Sequence, residues 1–281
     1  MAGPKRKNIF LTGASSGIGR AATELLLEND HEIWGTSREP LQERPLFHPL
    51  EMRLEDPASI DSAWTNALRQ AGRIDVVIQN AGSGIFGPIE DVSLENARRQ
   101  WQVLVEGPLQ ILRLAAAHMR PRGEGLIIGV SSLAAELPMP FSAHYSAGKS
   151  AFSALLAGLS MELQPFGVRV VDLRPGDIRT AFNDHLPKTL SENSRYFPWA
   201  RQTWEKCDRL MKEAPPPELV ARAILALVGQ ENPPVVTRVG TFFQARLGPL
   251  GPRLLPLRRL LDSIRRYYGL NEIDERERDK K

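Results

Sequence analysis

Tyr145 and Lys149 stand four residues apart in a 281-residue chain. On a helix that spacing puts both side chains on one face, about one turn or ~5.4 Å apart. A phenol with an ordinary pKa of about 10 is a poor base near neutrality, and a neighbouring ammonium favours its ionised form. The pair can therefore serve as an acid or base for an oxygen-bound proton. Ser132, 13 residues before Tyr145, adds a hydroxyl at the end of an apolar run. His144 sits beside Tyr145, but adjacent helical residues point apart, so it is expected to be structural or at the surface. Asp75 and Glu106 are likewise expected to play local structural roles.

A second group of residues is suited to holding a phosphorylated ligand. Thr12-Gly13-Ala14-Ser15-Ser16-Gly17-Ile18-Gly19 joins an apolar run to a helical pattern. Its glycines permit unusual backbone angles and close approach to a pyrophosphate, and a helix N-terminus offers free N–H groups. Taken alone, such a turn also fits any α/β protein. Asn80-Ala81-Gly82 and Pro175-Gly176-Asp177-Ile178-Arg179-Thr180 each follow a further apolar run.

The elements that must position these groups are legible as alternating patterns. Strands are predicted at Asn8–Thr12, His31–Ser37, Ile74–Gln79, Leu126–Ser131 and Val168–Leu173, and a short one near Val235 and Val236. Helices are predicted at Arg20–Glu28, Pro57–Ala71, Leu94–Met119, Ser150–Gln164 and Glu218–Val228. Alternating βα units imply an α/β fold, a Rossmann-type doubly wound parallel sheet with helices on both faces. This domain is assigned to residues 1–240. Within it, 177–217 carries Phe182, Tyr196, Phe197, Trp199 and Trp204 without a strand pattern, and is read as a substrate cover. Residues 241–281 form a basic extension in which Leu257, Leu260, Leu261, Ile264 and Tyr268 share one helical face. Two roles stay open for that helix: docking on the main domain or a second subunit, and peripheral contact with anionic lipid. The end, Asn271 to Lys281, is expected to fray.

Composition narrows the function class. With 42% hydrophobic and 25% charged residues the chain is an ordinary globular protein. The longest stretch without Asp, Glu, Lys or Arg, Val76–Ile89, is too short to span a bilayer. Only Ile9, Phe10 and Leu11 separate the basic start from Thr12 and Gly13, so no signal peptide is expected and the location is expected to be cytoplasmic. Thr241–Lys281 holds 10 of the 36 Lys and Arg and 6 of the 33 Asp and Glu, a net of +4 that leaves −1 for the body. That distribution argues against a nucleic-acid partner. A single Cys207 and five scattered His give no metal-ligand spacing.

The four motifs in this order, TGxxxGxG, NAG, Ser with YxxxK, and PG with a later Thr, resemble the short-chain dehydrogenase/reductase family over roughly Lys7 to Val236. The resemblance implies Ser132, Tyr145 and Lys149 as catalytic residues. It implies a dinucleotide held by Gly13, Ser15, Ser16, Gly17, Ile18 and Gly19, by Asn80, Ala81 and Gly82, by Pro175, Gly176, Ile178 and Thr180, and by Tyr145 and Lys149 at the ribose. It also implies a homodimer or homotetramer. Ser37 and Arg38, where an acidic residue would suit NAD(H), favour NADP(H).

Two positions depart from the family pattern. Leu104 occupies the place of the usual helix Asn, and Arg53 that of an Asp near adenine. The expected activity is interconversion of a ketone or aldehyde and its alcohol on an apolar substrate. Asn80–Glu90 resembles the steroid and retinol dehydrogenase branch. Alternatives are a nucleotide sensor or scaffold without turnover, which Leu104 favours, and a ketoreductase of acyl or polyketide chains.

Overall fold

The structure, a computed structural model, describes residues 6–182, 184 and 186–271. Expectations placed on Met1–Lys5 and on Glu272–Lys281 lie outside the described residues. The chain runs β1 (Asn8–Thr12), α1 (Gly17–Glu28), β2 (Glu32–Ser37), β3 (Phe47–Glu51), α2 (Pro57–Ala71) and β4 (Val76–Gln79). It continues through α3 (Leu94–Trp101), α4 (Gly107–Met119), β5 (Gly125–Val130), α5 (Ala143–Leu163) and β6 (Val168–Pro175). The last elements are α6 (Phe197–Glu213), α7 (Glu218–Val228), β7 (Val236–Val239), α8 (Gly251–Leu254) and α9 (Leu257–Tyr267). The strands form one parallel sheet in the order β3-β2-β1-β4-β5-β6-β7, so the expected Rossmann-type architecture is present.

Each inner strand buries both faces. Along β1, Ile9 and Leu11 face a layer built with Leu26 of α1 and Ile224 of α7, while Phe10 faces a layer with Ile60, Ile111 and Phe152 from α2, α4 and α5. This alternation at period two, with apolar residues directed to both faces, is why the strand centres read as hydrophobic runs. In parallel register, β1, β4, β5 and β6 all end on one side of the sheet, and the motifs named above follow those ends.

Three predicted elements are redrawn. The helix expected over Leu94–Met119 is two helices joined by a π-helical turn, Gln102–Glu106. The helix expected from Ser150 begins at Ala143, which places Tyr145 in its first turn. The cover contains a helix, α6, whose Trp204 packs edge-on against Phe86 at 5.0 Å. No helix among the described residues is long and apolar enough to cross a membrane.

Candidate active site

The open end of the sheet carries a cavity of about 1190 Å³. Of the expected site residues, Gly13, Ser15, Ser16, Gly17, Ile18, Ser37, Arg38, Asn80, Ala81, Gly82, Ser132, Tyr145, Lys149, Pro175, Gly176, Ile178 and Thr180 all line it. Gly19 does not; its role is steric. A Cβ there would stand 1.9 Å from the Gly13 carbonyl oxygen, so only glycine lets α1 start against the turn.

The residues of this end fit a dinucleotide. Gly13 and Gly17 both have positive φ, 74° and 51°, a conformation that costs glycine little. A side chain at Gly17 would press on Thr180. Ser16 is the N-cap of α1 but gives no side-chain cap, so the first-turn N–H groups remain available to an anion. Thr12 fixes the facing loop: its hydroxyl accepts from the N–H groups of Asn80 (3.0 Å) and Ala81 (2.9 Å) and donates to Gln79 (2.9 Å). Asn80 donates back to the Thr12 carbonyl at 3.0 Å. Gln100, on the cavity wall, has both amide atoms buried without a hydrogen-bond partner among the described residues.

At the end of β2, Arg38 is exposed at the cavity rim and its guanidinium has no partner among the described residues. Ser37 behaves differently, since its hydroxyl donates to the Glu39 carbonyl. Arg53, in the position noted as a departure, reaches the Arg38 carbonyl at 3.5 Å. Arg53 also pairs with Glu51 at 4.0 Å, so Arg38 is the cation that this corner presents to the cavity.

Tyr145 and Lys149 do share one face of α5, with the ammonium 5.9 Å from the phenol ring centre. Burial raises the pKa of Tyr145, a hydrogen bond with Ser132 opposes that rise, and the charge of Asp177 adds to it. The phenol is thus held protonated, the form that donates. The Lys149 ammonium donates to the Val130 carbonyl at 2.9 Å. Burial lowers its pKa to about 8, against a smaller raising effect of Asp172.

Below this pair lies a buried ionic network. Asp172, 2% exposed, accepts from Ser131, from Ser153 at 2.6 Å and from Arg174 at 2.7 Å. Arg174 and Arg238 both donate to Glu136. Leu104 is buried in the π-helical turn and packs against Gly82 and Gly148, so an apolar side chain stands where the family pattern has an amide.

The rest of the wall was not expected from the motifs. Phe182 of the cover stacks at a tilt on Tyr145, 5.9 Å between centres, whereas Tyr196 and Trp204 pack on Phe141 and Phe86. Phe243, Gln244, Leu247, Leu255, Leu260 and Ile264 come from the C-terminal extension. Their only sequence signal is the apolar periodicity of α9. Leu260 is buried and Ile264 partly so, which is the docking reading of that helix, while Phe242, Leu254 and Leu257 remain about 70% exposed.

Comparison with known proteins agrees with this architecture. The family described as short chain dehydrogenase matches residues 7–191. A 3-ketodihydrosphingosine reductase from Bacteroides thetaiotaomicron is 29% identical over 264 residues, 93% of this chain and 98% of that protein. An NADPH-dependent 1-acyldihydroxyacetone phosphate reductase from Saccharomyces cerevisiae is 28% identical, covering 84% of this chain and 83% of its own. The crystal structure of a short-chain dehydrogenase from Streptomyces avermitilis superposes with a TM-score of 0.74, 26% identity and 99% coverage of both chains. The family match spans well over half the sequence and contains the glycine turn, Ser132, Tyr145 and Lys149: the chain belongs to the short-chain dehydrogenase/reductase family of oxidoreductases.

Proposed function

We propose that this oxidoreductase reduces a ketone on a long apolar skeleton with NADPH. The observation that carries the reading is a phenol held protonated, in one cavity with the glycine turn and an apolar wall. A bound nicotinamide supplies the hydride. Ser132 donates a hydrogen bond to the substrate oxygen and Tyr145 gives that oxygen its proton. Lys149, anchored on Val130, sets a positive charge behind the phenol and stabilises the phenolate that remains. Phe182 and the C-terminal leucines exclude water from the substrate chain.

Arg38 supports the choice of NADPH, because a 2′-phosphate gives it the anionic partner that a bare ribose lacks. The relative from yeast is named for the same coenzyme. NADPH is expected to bind at least about tenfold more tightly than NADH, and Arg38→Asp to reverse the order. Equilibrium titration of both coenzymes measures this, and tighter NADH binding to the wild type would remove the assignment. Loss of NADPH absorbance with a panel of long-chain ketones tests turnover. Coenzyme binding without turnover of any of them would instead favour a nucleotide sensor, the reading for which Leu104 speaks.

An apolar substrate has to be collected from lipid, and the surface around the cavity suits that task. Phe242, Leu254 and Leu257 are exposed beside Arg253, Arg258 and Arg259. Apolar residues flanked by arginines complement an anionic bilayer surface. The full chain is expected to co-sediment with vesicles containing phosphatidylserine at low salt and to be released at high salt. Failure to sediment at low salt rules the contact out.

A further inference from the structure

Asp177 is a charged group on the cavity wall that the reduction described above does not use. It follows Pro175-Gly176 at the end of β6 and is partly buried. Among the described residues its Oδ2 accepts one hydrogen bond, from the neutral amide of Gln244 at 2.5 Å. Gln244 also accepts from the Asp177 N–H at 3.3 Å. Gly176 is part of the clamp, since a Cβ there would lie 2.6 Å from the Gln244 amide oxygen. The carboxylate is therefore held in one place by a residue of the C-terminal extension, and its Oδ1 has no partner among the described residues.

The other charged residues of the cavity are accounted for. Glu55 pairs with Arg99 at 3.5 Å, Lys149 sits on Val130, and Arg38 lies at the far corner, at the end of β2. Arg266 is exposed on α9. Asp177 is thus an acid without a cationic partner among the described residues, and its charge is felt by Tyr145. The wall beyond it carries Phe182, Leu186, Leu247, Leu255 and Leu260 together with Tyr267 and Tyr268, whose ionisation is opposed by burial and by the Asp177 charge. A partly buried carboxylate with one neutral partner, on the wall of a cavity that admits a ligand, is suited to receive a cation.

We propose that Asp177 is the subsite for an ammonium group carried by the substrate close to its carbonyl, so that the preferred substrate is a long-chain amino ketone. The inference rests on the reductase reading and deepens it. The ammonium donates to the open Oδ1, the carbonyl oxygen meets Ser132 and Tyr145, and the alkyl chain runs along the leucines. The same carboxylate repels a phosphate or carboxylate on the substrate, which sets this chain apart from a reductase of phosphorylated ketones.

The test compares, with NADPH, a long-chain 2-amino-3-ketone, the 3-ketone of equal length lacking the amine, and a phosphorylated ketone of similar length. The wild type is expected to favour the amino ketone over the neutral one by at least about tenfold in kcat/KM, mostly through KM, and to use the phosphorylated ketone least. Asp177→Asn is expected to erase the preference, and Asp177→Glu to restore part of it. Equal use of amino and neutral ketones by the wild type overturns the subsite and leaves the reductase intact. A loss in Asp177→Asn that is the same for both ketones also overturns it. Turnover of none of the three by the wild type overturns the reductase reading itself.

Discussion

Tyr145→Phe is expected to lower kcat by roughly 10²- to 10⁴-fold, the usual contribution of a positioned proton donor. The substitution removes one oxygen and keeps the ring that packs on Phe182 at 5.9 Å, so the wall retains its shape. Coenzyme affinity should hardly change, because the glycine turn, Thr12 and Asn80 hold their loops without the phenol. KM for the ketone should rise little, since the proton is transferred in the transition state. Single-turnover kinetics with saturating NADPH separate these effects. Retained kcat would show that some other group protonates the oxygen. The pH profile adds a second reading. Tyr145 stays protonated past its ordinary range, whereas Lys149, with a pKa of about 8, loses its charge first. Turnover is therefore expected to be level below that pH and to fall as pH rises through it.

Asp172→Asn should cost roughly 3 kcal/mol of stability, in the range for breaking one partner out of a buried ion pair. Asp172 is 2% exposed and its partner Arg174 has a side chain only 12% exposed. The new amide would turn a donor toward Ser131, Ser153 or Arg174, which all donate to the present carboxylate. For a chain of this size the melting temperature should fall by roughly 6 °C. The same change removes a charge that raises the pKa of Lys149. The alkaline limb of the pH profile should therefore move to lower pH. A melting temperature and a limb both equal to the wild type would mean that the network does not support the ammonium.

Much of the sheet was legible because buried parallel strands are nearly continuous apolar runs, as in Val76–Ile78 of β4 and in Gly125–Val130. Phe47–Glu51 escaped notice for a physical reason. Pro49 lies inside it, and proline removes a ladder donor, which argues against a strand. The strand is tolerated because β3 forms the edge of the sheet. The long pattern over Leu94–Met119 hid its π-helical turn, because apolar periodicity does not show where one extra residue enters a helix.

The motif residues that the structure brings to one cavity were readable because the chemistry proposed for them fixes both residue type and spacing. Gln100, Gln244 and the leucines of the extension were not, since what brings them to the cavity is tertiary packing between positions far apart in the chain. Asp177 and Gln244, in contact through two hydrogen bonds, are 67 residues apart.

That contact has a consequence for how the protein is made and how it can be remade. Every residue proposed to hold the coenzyme is translated before residue 181, whereas residues between 243 and 268 supply part of the cavity wall proposed to receive the substrate tail. The fit of the substrate tail can therefore be transplanted: exchanging residues 243–281, about a seventh of the polypeptide, for those of a relative should retune which chains are accepted while leaving the hydride donor and Asp177 in place.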